Sequence, residues 1–505
     1  MTESSSALPD FLEQALGFHR AEAWGPAMAC YAQCFDARKG DPDFLRLFGT
    51  ACYRAGEHPQ AVSLFGASLV LNPDQPAVWI NRGNALKYLY RQAEAIENYD
   101  QALLRSPASA DVYSNRGVAL RELGRFSEAL ESFSLALGIN PNHAIAANNR
   151  GMVEEDLGLL AQAEASYRQA IRSDPSLGDA YSNLGMLKLA QGQFEEGWAL
   201  YEWRLKLGHP VLAQALPEET RWQGEPRWGE TLLLQAEQGF GDIVHFCRYI
   251  PRLQNLFEHI YLEAPDSLHT LLRTSFPGNA LTILPLGAAL PSFDVHCPIM
   301  SLPLAFKTTL KTIPAEIPYL RPLPDRVKAW SEVLGPKTMP RVGVVWSGAF
   351  HPGLPEMMGA SRRRNMPLEK LAPLNMPGIQ FLSLQKGDDG QAELDSLRSK
   401  GWGGPALLDH TAALSDFSET AALIENLDLV ISVDTAVLHV AGALGKPVWM
   451  VDRLDHCWRW LGGRSDSPWY PTLRIFRQKN FGSWDEPVAD MVLALQAEFE
   501  LGTSK

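Results

Sequence analysis

The chain has 505 residues, too many for one ordinary hydrophobic core, so two or more domains are expected. Its 46% hydrophobic and 20% charged residues are typical of a soluble globular protein. The net charge of -13 argues against a nucleic-acid partner and against a polybasic membrane patch, because both require a basic face. With no apparent secretory signal, no spanning apolar run and no CxxC pair among six cysteines, a cytoplasmic protein with reduced thiols is expected.

The first half of the chain repeats itself every 34 residues. The repeated positions are Gly49, Gly83, Gly117, Gly151 and Gly185; Pro73, Pro107, Pro141 and Pro175; Ala61, Ala95, Ala129 and Ala163; and the aromatics Phe65, Tyr99, Phe133 and Tyr167. Small residues let the two helices of a hairpin approach closely, the aromatics are expected to fill the gap between hairpins, and proline ends a helix. The pattern resembles the tetratricopeptide repeat, and five to six copies over residues 8–206 predict an α-solenoid.

A row of asparagines shares this period: Asn81, Asn115, Asn149 and Asn183. Each lies two residues before the repeated glycine, on the first helix of its hairpin, which lines the concave face in this repeat family. An amide is both donor and acceptor, so such a row can clamp the backbone of an acceptor protein without reading its sequence. The alternative is that each asparagine bonds a neighbouring helix end as part of the repeat. The row resembles that of eukaryotic O-linked N-acetylglucosamine transferase, which grips acceptor protein.

The second half alternates short apolar runs with helix-like segments, which predicts parallel sheets covered on both sides. Residues 207–230 have no helical period and are expected to form a linker. A proline-rich passage then separates two lobes, expected at 231–325 and 326–500, with a cleft at the carboxyl ends of their strands.

Three stretches carry a more specific resemblance: QAEQGFGDIVHFCRYIPRL, SLQKGD and LVISVDTAVLHVAGALGKPVW. They look like the heptosyltransferase-like bacterial glycosyltransferases, which adopt the α/β GT-B fold of two Rossmann-like lobes. With its repeats, the chain resembles bacterial repeat-containing glycosyltransferases, related in architecture to the O-linked N-acetylglucosamine transferase. The resemblance implies an acceptor side on the first lobe and a nucleotide-sugar donor side on the second. It also implies inversion at the sugar.

Asp242 is the candidate base for the acceptor hydroxyl. It follows Gly239 and Gly241 at a strand-to-helix turn, and the glycines would let the chain and the substrate come close. The resemblance implies the same role, because the aspartate of this turn is the proposed base in the heptosyltransferase-like group. The alternative is a helix cap, which stabilises a helix by about 1 kcal/mol. His245, one turn further on, is a weaker rival and is expected to pack or hydrogen-bond on its helix.

Asp434 and Thr435 are candidate contacts of the donor diphosphate. They stand between a strand and a helix, where backbone amides and the positive end of the dipole suit an anion, and His439 follows one turn later. In the family, the acidic residue and those after it contact the nucleotide sugar. The alternative is that Asp434 and Thr435 only cap the helix and that His439 is a core residue.

Cations are expected to complete the donor site. Gln385 and Lys386 end a strand, where a lysine can neutralise phosphate. Past Ser347, a loop rich in glycine and proline ends in three arginines, of which Arg364 is the candidate for bidentate contact with diphosphate. The alternative for this run is a solvated face. The predicted donor contacts are Gly239, Gly241, Ser347, Arg364, Gln385, Lys386, Asp434, Thr435 and His439.

No bound metal or cofactor is expected, and the nucleotide sugar is a co-substrate. The DxD sequence of metal-dependent glycosyltransferases occurs only between repeats, at Asp41 and Asp43. Cations and helix amides would therefore carry the leaving-group charge. The aromatics of a later segment, Trp458, Trp460, Trp469 and Tyr470, are expected to brace the lobes. Asp466 and Ser467 are candidate rim contacts.

The leading hypothesis is a glycosyltransferase whose repeats hold an acceptor protein while the lobes transfer a sugar to its Ser or Thr hydroxyl. The resemblance suggests flagellin or another surface protein as the acceptor. A second hypothesis is transfer to lipopolysaccharide or another glycan, with the repeats only recruiting partners. A third is a repeat scaffold for protein interactions whose lobes are inactive.

Overall fold

The structure, a computed structural model, describes residues 4–207, 212, 214–237, 239–348 and 361–500. The chain divides into two compact units, and the division falls between Ala180 and Tyr181. The first unit is helical, and the second contains two parallel sheets. The predicted fold class, a repeat solenoid followed by an α/β region, is confirmed.

Consecutive helices occupy the chain as far as Tyr201. They are α1 (Ser4–Arg20), α2 (Trp24–Arg38), α3 (Pro42–Arg54), α4 (His58–Leu71), α5 (Pro76–Tyr88), α6 (Gln92–Arg105), α7 (Ala110–Glu122), α8 (Phe126–Ile139), α9 (Ala144–Asp156), α10 (Leu160–Ser173), α11 (Gly178–Ala190) and α12 (Phe194–Tyr201). In the first unit, α1 to α10 pack as successive hairpins, each against the next.

The repeated glycines and aromatics meet inside each hairpin. A Cβ on Gly83 would lie 2.7 Å from Cε1 of Tyr99, and one on Gly151 would lie 2.7 Å from Cε1 of Tyr167. Both tyrosines are fully buried. The same packing joins Gly49 to Phe65 and Gly117 to Phe133. The rings were expected between hairpins, but each fills the space beside the glycine of its own hairpin. Any residue larger than glycine at that position would clash with the ring.

The second unit contains two sheets whose neighbouring strands are all parallel. The first, in the order β3-β2-β1-β4, consists of β1 (Thr231–Gln235), β2 (His259–Ala264), β3 (Leu281–Pro285) and β4 (Val295–Pro298). The second, in the order β10-β9-β8-β5-β6-β7, consists of β5 (Arg341–Val345), β6 (Gln380–Ser383), β7 (Leu407–Asp409), β8 (Leu429–Ser432), β9 (Val448–Asp452) and β10 (Leu473–Arg477). We call the residues around these sheets the first and second lobes.

The central strands are buried along nearly their whole length, as parallel strands between helical layers must be. Their helices are α13 (Phe240–Phe246), α14 (Ile250–Leu253), α15 (Asp266–Ser275), α16 (Leu302–Ala305), α17 (Pro324–Leu334), α18 (Asp388–Ser399), α19 (Phe417–Glu425), α20 (Ala436–Ala443) and α21 (Asp485–Glu498). Among the residues described, no helix is both long and apolar enough to cross a bilayer.

Each sheet has a point where the strand order reverses. In the first lobe it lies between β1 and β4, and in the second between β5 and β8. If β5 is counted as the first strand, the second sheet has the order 3-2-1-4-5-6 of dinucleotide-binding folds. Ligands of such sheets bind outside the carboxyl ends of the strands at this reversal. The helices that begin there are α13, after β1, and α20, after β8.

The last solenoid helix belongs to the core of the second unit. Phe194, Trp198 and Tyr201 of α12 are buried in one apolar cluster with residues of both lobes. The indole Nε1 of Trp198 donates to the carbonyl of Thr308 at 2.9 Å. Within the segment expected to be a linker, Trp222 is buried, and its ring centroid lies 5.3 Å from that of Phe257. Both segments are therefore held by residues of the first lobe.

Candidate active site

Asp242 caps the helix that follows β1. It stands at the third position of α13, and its Oδ2 accepts a hydrogen bond of 3.1 Å from the backbone N–H of Gly239. The cap considered from the sequence is therefore present. It occupies one carboxylate oxygen and fixes the direction in which the other points.

The other oxygen of Asp242 is paired with Arg459 of the second lobe. Nη2 of Arg459 donates to Oδ1 of Asp242, and the two side chains are 8% and 17% exposed. Arg459 lies in a 3-10 turn, Trp458–Trp460, and its guanidinium stands 4.4 Å from the centroid of the Trp458 ring. This ion pair connects residues 217 positions apart, and sequence reasoning did not single out Arg459.

The two helices at the strand-order reversals meet at Gly241. A Cβ on Gly241 would lie 2.9 Å from Cδ2 of His439 and 3.6 Å from Cα of Ala436. Gly241 is therefore required for close approach of α13 to α20. Gly239 has no such neighbour, because its Cβ would meet only a carboxylate oxygen of Asp242, at 3.9 Å.

Asp434 and His439 lie on the second-lobe side of this contact. Nε2 of His439 is 3.7 Å from Oδ1 of Asp434. Burial would raise the pKa of Asp434, but the His439 ring and the charge of Arg364 outweigh it, and the pKa is lowered. Thr435 is the N-cap of α20, yet its side chain makes no capping bond, since its Oγ1 is 2.9 Å from Oγ of Ser432. The first amides of α20 are thus not capped by Thr435.

A buried hydrogen-bonded chain crosses between the lobes beside these residues. The Tyr470 hydroxyl lies 2.9 Å from Nδ1 of His439 and 3.2 Å from Nδ1 of His245. It also lies 3.2 Å from the Tyr319 hydroxyl, which accepts from Nη2 of Arg248 at 3.0 Å. Burial and then the charge of Arg248 lower the pKa of His245 well below its usual value, so this ring is neutral. His245 packs and hydrogen-bonds, as expected of it.

Arg364 is close enough to Asp434 and Asp242 for their charges to affect its pKa. Burial lowers the pKa of Arg364, and the charges of Asp434 and Asp242 oppose that effect. The guanidinium also fills the space beside Gly348, where a Cβ would lie 2.4 Å from Nη2. Arg363 instead pairs with Asp455, with an Nε–Oδ2 distance of 2.8 Å. The glycine- and proline-rich loop at 349–360 lies outside the described residues.

The remaining predicted donor contacts lie at the ends of β5 and β6. Oε1 of Gln385 accepts from the backbone N–H groups of Trp346, at 3.2 Å, and Ser347, at 2.9 Å. Gln385 is 6% exposed, so this amide holds the chain at the end of β5. Oγ of Ser347 donates to the carbonyl of Gly348 at 3.2 Å. Lys386 is exposed, and its Nζ donates to the carbonyl of Leu414.

The asparagine row lies on the first helices of four successive hairpins, as the period predicts. Asn81, Asn115 and Asn149 stand on α5, α7 and α9 of the first unit, and Asn183 stands on α11. All four are half-buried. Nδ2 of Asn115 donates to Oδ1 of Asn84 at 3.4 Å, a bond to the preceding hairpin. The bond joins side chains of the two first helices α5 and α7 and does not reach a helix end.

The later aromatics pack between the lobes. The centroid of Trp458 lies 5.2 Å from that of Trp198, and Trp469 lies 4.6 Å from His245 of the first lobe. Trp460 stacks on His439 at 5.4 Å. Of the two rim candidates, Asp466 pairs with Arg464 at 2.6 Å, and Ser467 is 5% exposed.

No described group of three or more histidine, cysteine, aspartate or glutamate side chains has a geometry that would hold a metal ion. The DxD sequence in the first half has a structural role, because Oδ1 of Asp41 accepts from the backbone N–H groups of Asp43 and Phe44 at 3.0 and 3.3 Å. That bond caps α3.

We expect the second unit to lose stability in mild acid through His456. Burial and the charge of Arg477 lower the pKa of His456 to about 4. Between about pH 4 and the ordinary histidine value near 6.5, the unfolded chain binds more protons there, so the free energy of unfolding falls as pH falls. The slope is at most about 1.4 kcal/mol per pH unit. Urea unfolding of the wild type and His456→Gln at about pH 5 and about pH 7 measures it.

His456→Gln should show a smaller difference between the two pH values than the wild type. At about pH 8 and about pH 9, where the imidazole is neutral in both states, the two proteins should change in parallel. An equal loss in acid for both proteins would assign the effect to other groups.

Comparison with known families places repeats before a glycosyltransferase segment. Tetratricopeptide repeat profiles match residues 110–143, 136–178 and 148–202. The profile of glycosyltransferase family 9 (heptosyltransferase) matches residues 410–450, which contain β8, α20 and Asp434. The chain therefore has tetratricopeptide repeats in its N-terminal half and a heptosyltransferase-family segment near its C-terminus.

A curated relative is Protein FlbA of Caulobacter vibrioides (strain ATCC 19089 / CIP 103742 / CB 15), which is 30% identical over 338 residues. The match covers 61% of this chain and 53% of that protein, so the chain spans about half the length of its curated relative. Solved structures similar to the repeats include that of the MamA protein (18% identity, 35% of this chain and 94% of that one, TM-score 0.32). Another is that of YrrB, described as a TPR protein with an unusual peptide-binding site. It is 20% identical and covers 35% of this chain and 91% of that one, with a TM-score of 0.29.

Proposed function

We propose that the protein is a glycosyltransferase that moves a sugar from a nucleotide sugar to a hydroxyl of an acceptor protein held by the repeats. One observation carries the proposal. The heptosyltransferase-family match falls on α20, and this helix meets Gly241, the residue before Asp242, at the carboxyl ends of the two sheets. Ligands of this fold bind at that place.

In the proposed reaction, Asp242 takes the proton of the acceptor hydroxyl. The oxygen attacks the anomeric carbon, and the bond from that carbon to the diphosphate breaks with its electron pair remaining on the diphosphate. Arg364, which is near Asp434, and the first amides of α20 would stabilise the departing charge. Lys386 would contribute through its charge from an exposed position. Attack from the opposite side inverts the anomeric centre, and no metal takes part in this scheme.

The acceptor is proposed to be polypeptide. The support is the regular row of half-buried amides, one on the first helix of each of four successive hairpins, together with the repeat family matches. Within the first unit, the amides of Asn81, Asn115 and Asn149 lie one hairpin apart, so they can bond successive parts of an extended backbone. A bacterial surface protein such as flagellin remains the acceptor class that we propose.

A panel of nucleotide sugars tests the enzymatic part of the proposal. The full chain is incubated with each donor, and nucleoside diphosphate release and the shift in melting temperature are recorded. We expect one donor both to raise the melting temperature and to be hydrolysed slowly in the absence of acceptor. A protein that binds none of the nucleotide sugars and none of the nucleoside diphosphates would contradict the proposal.

Replacing Asn115 and Asn149 by alanine should weaken transfer to an acceptor protein and leave donor hydrolysis unchanged. Each amide supplies a donor and an acceptor, so loss of two should raise KM for the acceptor by about 5-fold or more. Steady-state kinetics with the acceptor varied at fixed donor measures the change. Asn142→Ala, which changes an exposed asparagine outside the row, is the matched control. Unchanged acceptor kinetics in the double variant would favour the structural role of the row.

A further inference from the structure

Arg459 is a buried cation whose hydrogen-bonding capacity is only partly used. It is 7% exposed, and a guanidinium has five N–H donors in a planar fork. Nη2 donates to Asp242, and Nη1 donates at 3.2 Å to Sγ of Cys457, a weak acceptor. Nε is buried and has no hydrogen-bond partner in the part of the chain that the structure describes. Buried donors are nearly always satisfied, so this one indicates a further partner.

The guanidinium stands at the junction of the two lobes. On one side it contacts the carboxylate of α13. On the other side the next residue, Trp460, stacks on His439, whose ring is 3.7 Å from the carboxylate of Asp434. Arg459 is therefore paired with the proposed base, and the residue that follows it stacks on the helix where the diphosphate is proposed to bind.

We infer that Arg459 exchanges partners during the reaction, an inference that rests on the proposed function. Before the donor binds, Arg459 holds Asp242. The diphosphate carries more negative charge than one carboxylate and can accept two parallel bonds from the fork, so it draws the guanidinium away. Asp242 is then released, while its cap to Gly239 keeps it in position.

The exchange couples the two halves of the chemistry. The proton of the acceptor hydroxyl passes to Asp242, and the oxygen forms its bond to the anomeric carbon. The bond from that carbon to the diphosphate breaks, its electron pair stays on the diphosphate, and Arg459 neutralises the new charge. The base thus becomes available only when a donor is in place.

Exchange and a static ion pair predict opposite effects of Asp242→Asn on donor binding. If Arg459 must leave Asp242 to bind the diphosphate, the carboxylate competes with the ligand, and its removal should tighten binding. If the pair is only structural, removal of the carboxylate should leave binding unchanged or weaken it. Asp242→Asn also removes the repulsion between its carboxylate and the diphosphate, which would tighten binding without any exchange. The double variant Asp242→Asn with Arg459→Gln separates these two effects, because repulsion does not require Arg459.

The test is calorimetric titration of the full chain with UDP, GDP, ADP and CDP, continued with the one that the wild type binds. Asp242→Asn should bind it about 5-fold or more tightly, and Arg459→Gln at least about 10-fold more weakly. When Asp242→Asn is added to Arg459→Gln, the affinity for the nucleoside diphosphate should not increase. Arg341→Gln, which changes a 3% exposed arginine at the opposite end of β5, should bind as the wild type does.

Each outcome decides one question. If Asp242→Asn does not bind the nucleoside diphosphate more tightly than the wild type, the exchange is overturned and the proposed function stands. The same holds if Asp242→Asn tightens binding even in the Arg459→Gln background. If the wild type binds none of the four nucleoside diphosphates and none of the nucleotide sugars, the proposed function itself is overturned. Where thermal melting shows that Arg459→Gln does not fold, Arg459→Lys takes its place, because it keeps the charge and loses the fork.

Discussion

Asp242→Asn should transfer sugar about 10²- to 10⁴-fold more slowly than the wild type, which is the usual contribution of a general base. Asparagine retains an oxygen for the helix cap from Gly239 but cannot take the acceptor's proton. The single-turnover rate at saturating donor and acceptor measures the loss. A folded Asp242→Asn protein that transfers sugar at the wild-type rate would reduce Asp242 to a cap.

Asp416→Asn provides a closely matched control. Asp416 caps α19 through a bond of 2.9 Å from the backbone N–H of Glu419, and it pairs with Arg326 at 2.8 Å. Its side chain is 19% exposed, against 17% for Asp242. The two substitutions therefore remove similar structural interactions, and a transfer defect confined to Asp242→Asn would report on chemistry.

The largest loss of stability should follow Arg204→Met. Nε and Nη2 of Arg204 donate to the two oxygens of Glu237 at 2.9 and 3.0 Å, and the side chains are 2% and 0% exposed. Nη2 also donates to Oγ of Ser301 at 2.8 Å. Removing the arginine leaves a buried carboxylate without its counter-charge, which typically costs about 3–5 kcal/mol. Urea unfolding followed by tryptophan fluorescence measures the change, since most of the tryptophans lie after residue 180.

Two further variants test that explanation. Arg464→Ala removes an exposed pair with Asp466, with side chains 32% and 68% exposed, and should cost less than about 1 kcal/mol. Arg204→Met combined with Glu237→Leu should recover most of the loss, because replacing both members of a buried pair by apolar groups is often close to neutral. A double variant as unstable as the single one would assign the loss to packing instead of charge.

The repeats and the alternation of strands and helices could be predicted from the sequence because both depend on local periodicity. Gly83 and Tyr99 illustrate this, since a fixed spacing brings them together inside one hairpin. Asp242 and Asp434 could be placed at strand ends for a similar reason, because a turn between a strand and a helix is a local feature.

The partners of these residues could not be predicted in the same way. Arg459 reaches Asp242 only because the two lobes pack, and no spacing in the sequence encodes that contact. The arginine between two tryptophans was a signal, since a cation in an aromatic setting is commonly buried and paired. Gln385 shows the opposite case. Its position after a strand suggested a contact with a ligand, but its amide oxygen accepts from the backbone N–H groups of Trp346 and Ser347 at the end of β5.

The place of α12 limits how this protein can be divided or recombined. Phe194, Trp198 and Tyr201 belong to the apolar core that both lobes share. A truncation after Tyr201 would expose these aromatics on the repeat fragment and leave a cavity in the core of the remaining fragment. Exchange of repeat arrays between related proteins, in the laboratory or in evolution, should therefore succeed when the junction lies near residue 180 and fail when it follows the last helix.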